Sequence, residues 1–326
     1  MNLSTTDPMF STRLNSFALG QGVAHPAART PPTELIAQAG KVQGLDALEL
    51  NYPEHFVDHS AAELLAATTA AGLQVTGIQL RWPASTFARG AFTNVDAGLR
   101  AEAVQLAQDA IKVSREMGVS HVILWPAHDG YEYPFQLDYV TVWDRLCESY
   151  SAVAEYGHDL TVSIEYKPAE PRARTMLSST GNVLALIAET GRPNLAVTLD
   201  FAHLMMAQEN AAHSIAQCLR RGLLTGLQLN DGYAKADDGL MVGSVHLVET
   251  LEAFFYLVRE EYSGTFYFDT DPIREDPIRE CAMNIVRAKQ LLGLARGMQS
   301  STDLPNADAL ASSAAWWEAL VAGRDH

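Results

Sequence analysis

Three carboxylates stand at the ends of apolar, strand-like runs in this chain. Glu165 follows LTVSI, Asp200 follows LAVTL and Asp269 follows TFYF, and His203 comes three residues after Asp200. An unpaired carboxylate is costly among apolar side chains, and three that converged would repel one another. A divalent cation is the simplest way to hold them together. Pairing of each with an arginine or a backbone group is the alternative.

Other polar residues fall at or just after the ends of further strand-like runs. They are Glu49, Gln79, Arg81, Trp125, His128, Lys167, Gln228, Asn230, Asp237 and Asp238. Ligand pockets are commonly lined by aromatic side chains with a few polar groups, so Trp125 and His128 are expected to line a pocket or, alternatively, only to pack in their loop. Arg81 could bind a phosphate or carboxylate, or neutralise the acidic groups.

Eight short apolar runs, most of them followed by an amphipathic segment, must position these residues. The runs cover residues 16–20, 47–50, 75–80, 121–125, 160–166, 195–200, 225–230 and 265–269. Alternating strands and helices indicate a parallel sheet, and eight units are typical of an α/β (β/α)8 TIM barrel, whose chemistry sits at the C-terminal strand ends. A doubly wound open sheet is the alternative, but GQGVAH (20–25) lacks the third glycine of G-x-G-x-x-G.

The predicted organisation is one domain with short additions at both ends. Amphipathic patterns predict helices over 60–72, 101–118, 141–157, 178–191, 246–262 and 278–297. We expect a disordered N-terminus (1–12), a barrel (13–297) and a C-terminal extension (298–326). The extension contains a helix with Trp316–Trp317 that docks on the barrel or mediates a dimer contact.

Composition restricts the class of protein. The 326 residues include 23 Lys+Arg and 39 Asp+Glu, a net charge of −16, and 48% are apolar. The apolar share excludes wholesale disorder, and the acidity disfavours nucleic acid as a partner. The sequence contains no run of about 18 apolar residues, the length that a membrane-spanning helix needs. Three cysteines without C-x-x-C predict a reducing, cytoplasmic location.

The motifs resemble those of the xylose isomerase-like TIM-barrel sugar isomerases and epimerases, most closely the L-rhamnose isomerase type. Glu165-Tyr-Lys167-Pro-Ala-Glu170-Pro resembles their E-x-K-P-x-E-P, and Asp200-Phe-Ala-His203 their acid-x-x-His. The strand-seven segment 227–231 with Asp237-Asp238, and the strand-eight Asp269, also match. The resemblance runs in order from about residue 120 to 280.

The resemblance implies a metal site of Glu165, Asp200 and Asp269, with Gln228 as the fourth ligand. His203 would approach a second, catalytic metal together with Asp237 or Asp238. Lys167 would contact the carbonyl end of the substrate. The substrate would also meet Arg81, Trp125, His128 and Glu170.

Gln228 departs from the family, in which this position is histidine. A glutamine amide oxygen is a neutral oxygen ligand, which favours Mn²⁺, with Mg²⁺ or Co²⁺ possible, over Zn²⁺. Alternatively, Gln228 does not bind the metal and water fills its place.

The function implied is aldose–ketose isomerisation of an unphosphorylated sugar. The alternatives on this scaffold are a ketose 3-epimerase, an inosose dehydratase-like enzyme or a C-glycoside-cleaving lyase subunit. Asp269 favours the isomerase because epimerases have the longer glutamate there. A non-catalytic barrel or a DNA-repair endonuclease fits poorly. By analogy, a homo-oligomer, dimer or tetramer, is expected.

Overall fold

A closed barrel of eight parallel strands forms the centre of the protein, as the sequence predicts. The computed structural model describes residues 8–19, 30–170 and 172–300, together with 314, 317, 318 and 321. The barrel strands are β1 (Phe10–Arg13), β2 (Ala47–Tyr52), β3 (Gln74–Arg81), β4 (His121–Trp125), β6 (Thr161–Glu165), β8 (Leu195–Asp200), β9 (Leu224–Leu229) and β10 (Phe266–Phe268). Around the ring their order is β1-β10-β9-β8-β6-β4-β3-β2. Two short strands, β5 (Gly130–Tyr131) and β7 (Arg174–Thr175), pair outside the barrel.

Helices follow the strands and cover the barrel. They are α1 (Ser16–Leu19), α2 (Pro32–Ala39), α3 (Ala61–Ala70), α4 (Ala84–Phe87), α5 (Ala97–Glu116), α6 (Tyr139–Tyr156), α7 (Thr180–Thr190), α8 (Phe201–Met206), α9 (Ala211–Leu219), α10 (Leu247–Arg259) and α11 (Pro277–Ser300). Several begin at a side-chain cap that satisfies free backbone N–H groups, as Asp96 does for α5 and Asp138 for α6. No helix within the described ranges is both long and apolar enough to cross a lipid bilayer.

Side chains alternate along each strand between the helices and the barrel interior. The Gln79 amide on β3 and the Gln228 amide on β9 both donate to Glu165 on β6, although neither strand is adjacent to β6. Those contacts are possible only across the interior. Leu48 and Leu50, which flank Glu49, belong instead to the buried apolar core. Alternation therefore brings polar residues from separate strands to one mouth.

The first strand is the main error of the sequence prediction. Residues 16–20 were expected to form it, but Ser16–Leu19 is the short helix α1 and the strand is Phe10–Arg13. Residues 10–12 thus belong to the barrel and not to a disordered N-terminus. The true strand carries polar Ser11 and Arg13 on its inward positions, so it lacks the apolar run that predicts a buried strand.

The predicted ends of the chain fall largely outside the described residues. These include residues 1–7, the GQGVAH segment and most of the extension with Trp316. Trp317 is helical and 48% exposed. Helix α11 continues to Ser300, past the boundary that we predict at 297.

Candidate active site

Glu165, Asp200 and His203 form a buried cluster at the C-terminal mouth of the barrel. Each offers a ligand atom, and these atoms lie within 4.8 Å of one another. His203 Nδ1 is 3.8 Å from Glu165 Oε1 and 3.9 Å from Asp200 Oδ1. The three residues are at most 2% exposed. Within the described part of the chain, His203 Nδ1 is a buried nitrogen without a hydrogen-bond partner.

Local structure explains how two of these residues come together. Asp200 is both the last residue of β8 and the N-cap of α8, and its Oδ1 accepts a hydrogen bond from the His203 backbone N at 2.9 Å. Because α8 begins directly after β8, its first turn places His203 next to Asp200. A strand ending directly in a helix thus holds the acid and the imidazole together.

Three amide side chains orient the two carboxylates. Gln79 and Gln228 donate their amide N–H groups to Glu165 Oε2, the latter at 3.0 Å. Asn230 Nδ2 donates to Asp200 Oδ2 at 2.9 Å, while Asn230 Oδ1 accepts from the Ala202 backbone N. Such outer partners fix the ligand orientation in metal sites.

A chain of charges continues from the cluster across the mouth. His203 Nε2 donates to Asp237 Oδ2 at 3.3 Å, and Lys167 Nζ lies 3.3 Å from the same oxygen. Lys167 Nζ is also 2.8 Å from Glu170 Oε1. Asp238 Oδ2 instead accepts from the Tyr233 backbone N at 2.7 Å. Asp237 therefore faces the cluster, whereas Asp238 is hydrogen-bonded within its own loop. A catalytic role for either aspartate stays a prediction.

Burial and mutual charge shift the pKa values of the cluster. Burial raises the pKa of Glu165 to about 7, although the His203 charge opposes this, and burial together with Asp237 and other acids raises that of Asp200 to about 8. Burial alone would lower the pKa of His203, but Asp200, Asp237 and Glu165 raise it to about 9. Burial would raise the pKa of Asp237, yet His203 and Lys167 hold it well below its usual value.

Two of the predicted substrate residues, Arg81 and Trp125, lie beside Lys167. The Arg81 guanidinium and the Lys167 ammonium contact the Trp125 ring, 5.0 and 5.5 Å from its centroid. Arg81 also donates to Gln79 Oε1 at 3.3 Å. His128 is half-buried in the loop that follows β4. One cation on the indole belongs to β3 and the other follows β6, so the aromatic ring contacts positive groups from two separate strands.

Asp269 is held differently from the other two predicted carboxylates. Its Oδ1 lies 3.4 Å from Arg13 Nη1, and the same guanidinium nitrogen is 2.5 Å from Asp271 Oδ1. The cluster of mutually close ligand atoms in the described ranges does not include Asp269. Pairing with an arginine, the alternative considered for each carboxylate, therefore applies here. A role for Asp269 as a metal ligand stays a prediction.

Sequence reasoning left two charged groups at the mouth without a role. Glu49, at 6% exposure, points inward from β2, and Arg13 does so from β1. Because the first strand was predicted at residues 16–20 and not at Phe10–Arg13, Arg13 was not recognised as a barrel residue. Glu49 carried a signal, because it is an acid inside the apolar run ALEL, but it had no counterpart in the family motifs.

The residues present fit a divalent cation. Two carboxylates and one imidazole are a common donor set for such ions. Gln228 Oε1 is, like His203 Nδ1, a buried atom without a partner in the described ranges, while the Gln228 amide N–H is engaged by Glu165. Its free oxygen therefore allows the ligand role that we predict but does not require it.

Comparisons with known proteins agree with the fold. Residues 36–283 match the family model described as xylose isomerase-like TIM barrel. The xylose isomerase of Thermus thermophilus is 32% identical over 200 residues, which cover 58% of this chain and 51% of the relative. That of Thermus caldophilus gives the same values. The chain thus spans about half the length of these curated relatives.

Solved structures share the fold across nearly their whole length. An L-ribulose 3-epimerase structure is similar with a TM-score of 0.70 and 18% identity, covering 91% of this chain and 100% of that one. A D-allulose 3-epimerase from Methylomonas sp. has a TM-score of 0.69 and 16% identity, covering 88% and 99%. Since the family model matches most of the chain, the protein belongs to the xylose isomerase-like TIM barrel family.

Proposed function

We propose that this protein is a divalent-metal-dependent sugar isomerase that interconverts an unphosphorylated aldose and ketose at the mouth of the barrel. The observation that supports this most is the buried Glu165–Asp200–His203 cluster adjoining the Lys167–Asp237 pair. An ion site next to a fixed ammonium suits a substrate with a carbonyl and neighbouring hydroxyl groups. Similarity to xylose isomerases over part of the chain agrees with it.

Lys167 is the group proposed to contact the carbonyl oxygen. Burial would lower the pKa of Lys167, but Asp237 and Glu170 raise it, so the ammonium stays charged. Both acids and the Trp125 face restrict where Nζ can lie. A preorganised charged donor stabilises negative charge that develops on an oxygen during reaction.

Glu165, Asp200 and His203 would hold the ion, and Gln228 Oε1 is the proposed further ligand. When bound, the cation would act as a Lewis acid that polarises the sugar carbonyl. Two carboxylates and an amide oxygen, with one imidazole, favour Mn²⁺ among the available ions, with Mg²⁺ or Co²⁺ as alternatives. Asp237 orients the imidazole through the opposite ring nitrogen.

A ketose 3-epimerase is the second candidate. Two inward acids, Glu165 on β6 and Asp269 after β10, lie on strands that are not neighbours in the ring. Acids on separate sides of a sugar could remove and return a proton. The Arg13–Asp269 ion pair weighs against this, because it holds the carboxylate toward the guanidinium. The inosose dehydratase-like and lyase alternatives, the closer likeness to L-rhamnose isomerases, the cytoplasmic location and the homo-oligomer stay predictions.

The deciding experiment measures turnover in D₂O. The protein is loaded with Mn²⁺ and incubated with D-xylose, L-rhamnose and D-allulose, and products are analysed by NMR. We expect an aldose–ketose pair without deuterium at C3 of the ketose, and loss of turnover in Glu165→Gln but not in Glu116→Gln, an exposed site on α5. Deuterium at C3 would instead establish the epimerase, and full activity of Glu165→Gln would exclude the proposed site.

A further inference from the structure

Glu49 is a buried carboxyl group in the barrel interior, and one of its oxygens lacks a hydrogen-bond partner among the described residues. It is 6% exposed, and its Oε2 has no hydrogen-bond partner among the residues that the structure describes. An unpaired buried polar atom costs roughly 1–3 kcal/mol. Functional sites commonly retain this cost because a ligand supplies the missing partner.

The ring order places Glu49 opposite the proposed metal site. Strand β2, which carries Glu49, is diametrically across the barrel from β8, which ends in Asp200. Strand β1, with Arg13, is across from β6, with Glu165. A ligand that is bound by the cluster and Lys167 and that spans the barrel therefore extends toward β1 and β2. The free oxygen of Glu49 belongs to that side.

The neighbouring strand leaves room for this side chain. Gly77 on β3 pairs with Glu49, and a Cβ at Gly77 would lie 3.2 Å from Glu49 Cδ and Oε1. It would also lie 2.7 Å from Ile123 Cδ1. A Cβ at Gly77 would crowd both Ile123 and Glu49, so the glycine leaves room for the inward carboxyl.

Burial and the neighbouring acids favour the neutral form of Glu49. Arg13 already pairs with Asp269 and Asp271 on the β10 side. Burial, together with the charges of Glu165 and Asp269, raises the pKa of Glu49 to about 8. A carboxyl that keeps its proton can both donate and accept a hydrogen bond, as a sugar hydroxyl does.

We propose that Glu49 binds the substrate: its Oε2 hydrogen-bonds a hydroxyl on the part of the sugar farthest from the Glu165–Asp200–His203 cluster. This inference rests on the proposed function, because it requires a polyhydroxylated substrate in the mouth. It adds a contact from β2 that positions the distal hydroxyls and contributes to the choice of sugar.

The test compares Glu49→Ala, Glu49→Gln and the exposed control Glu116→Ala. KM is measured on the best substrate among D-xylose, L-rhamnose and D-allulose, with Mn²⁺ saturating, and Mn²⁺ affinity is measured separately by calorimetry. We expect Glu49→Ala to raise KM about tenfold, the effect of one lost hydrogen bond, with unchanged Mn²⁺ affinity. Glu49→Gln keeps a donor and an acceptor, so we expect its KM within about threefold of wild type.

Singly deoxygenated forms of that sugar identify the contact. For the analogue that lacks the contacted hydroxyl, wild type and Glu49→Ala should have equal KM, because nothing remains to lose. An unchanged KM in Glu49→Ala, a loss of Mn²⁺ binding in that variant, or an equal penalty on every analogue would overturn the inference while leaving the proposed function intact. If the wild type turns over none of the sugars, the proposed function fails and this inference fails with it.

Discussion

His203 Nε2 lies 3.3 Å from Asp237 Oδ2, and this contact directs the other ring nitrogen toward Glu165 and Asp200. One residue from the strand-nine loop thereby orients a residue of the helix after β8. In metal sites, a carboxylate that accepts a hydrogen bond from the second ring nitrogen of a histidine fixes the imidazole tautomer. His203 and Asp237 are thus a structural pair, and their proposed role in metal binding can be measured.

Replacing His203 should remove most of the metal affinity. We expect His203→Ala to lower Mn²⁺ affinity at least about tenfold, and Asp237→Asn to lower it about tenfold by loosening the imidazole. Calorimetric titration of the metal-free protein measures both. His213→Ala, an exposed histidine on α9, is the matched control. Wild-type affinity in His203→Ala would contradict the assignment of this cluster.

Lys167 should affect turnover more than metal binding. Removing a preorganised charged donor commonly costs about 10²–10³ in kcat, so Lys167→Met should lose that much with Mn²⁺ affinity within about threefold. Lys235→Met, an exposed lysine in the loop that also carries Asp237, should retain wild-type kinetics. Equal losses in both variants would indicate a general effect on the loop and not a contact with the substrate.

Mn²⁺ binding should strengthen as the pH rises. In the metal-free protein the pKa values of Glu165, Asp200 and His203 are raised to about 7, 8 and 9, so these groups hold protons near neutrality. Metal ligands must lose them. Affinity should therefore increase between about pH 6.5 and 9, with release of protons detectable by calorimetry in buffers of different ionisation enthalpy. A pH-independent affinity would contradict this.

The raised pKa of Glu49 predicts how the stability of the metal-free protein depends on pH. Glu49 binds its proton more tightly when folded, with a pKa of about 8 against 4.5 for an unperturbed glutamate. Where the native state holds more protons, stability falls with rising pH. The Tm in EDTA should thus decrease between about pH 4.5 and 8, and less steeply in Glu49→Gln. Equal slopes for the two proteins would show that Glu49 is ionised in the fold.

Arg13 should matter for stability through the two acids that it neutralises. Its side chain is 17% exposed and pairs with Asp269 and Asp271. Leaving buried charge uncompensated costs about 3 kcal/mol, so Arg13→Met should lower the free energy of unfolding by about that amount in urea titrations. Arg192→Met breaks the exposed pair with Glu155 and should change it by less than about 1 kcal/mol. Similar effects in both variants would mean that the Arg13 pairs are not effectively buried.

Hydrophobic periodicity was sufficient for most of the barrel. Strands such as Leu195–Asp200 are continuous apolar runs because both faces are covered, and the predicted limits of that strand coincide with the observed ones. The E-x-K-P and D-x-x-H spacings also identified Glu165, Lys167, Asp200 and His203 as residues of one mouth. These features are local, and a sequence records them directly.

Pairing between distant residues depended on the tertiary structure. The sequence could not choose between Asp237 and Asp238, because loop geometry decides which carboxylate turns inward. It did not reveal that Arg13 meets Asp269, since the two are 256 positions apart and join only when β1 closes the ring against β10. Nor could it place Glu49 opposite Asp200, because that relationship comes from the order of strands around a closed barrel. The sequence specifies which residue types are present, whereas closure of the barrel decides where each charged side chain points and which residue it contacts.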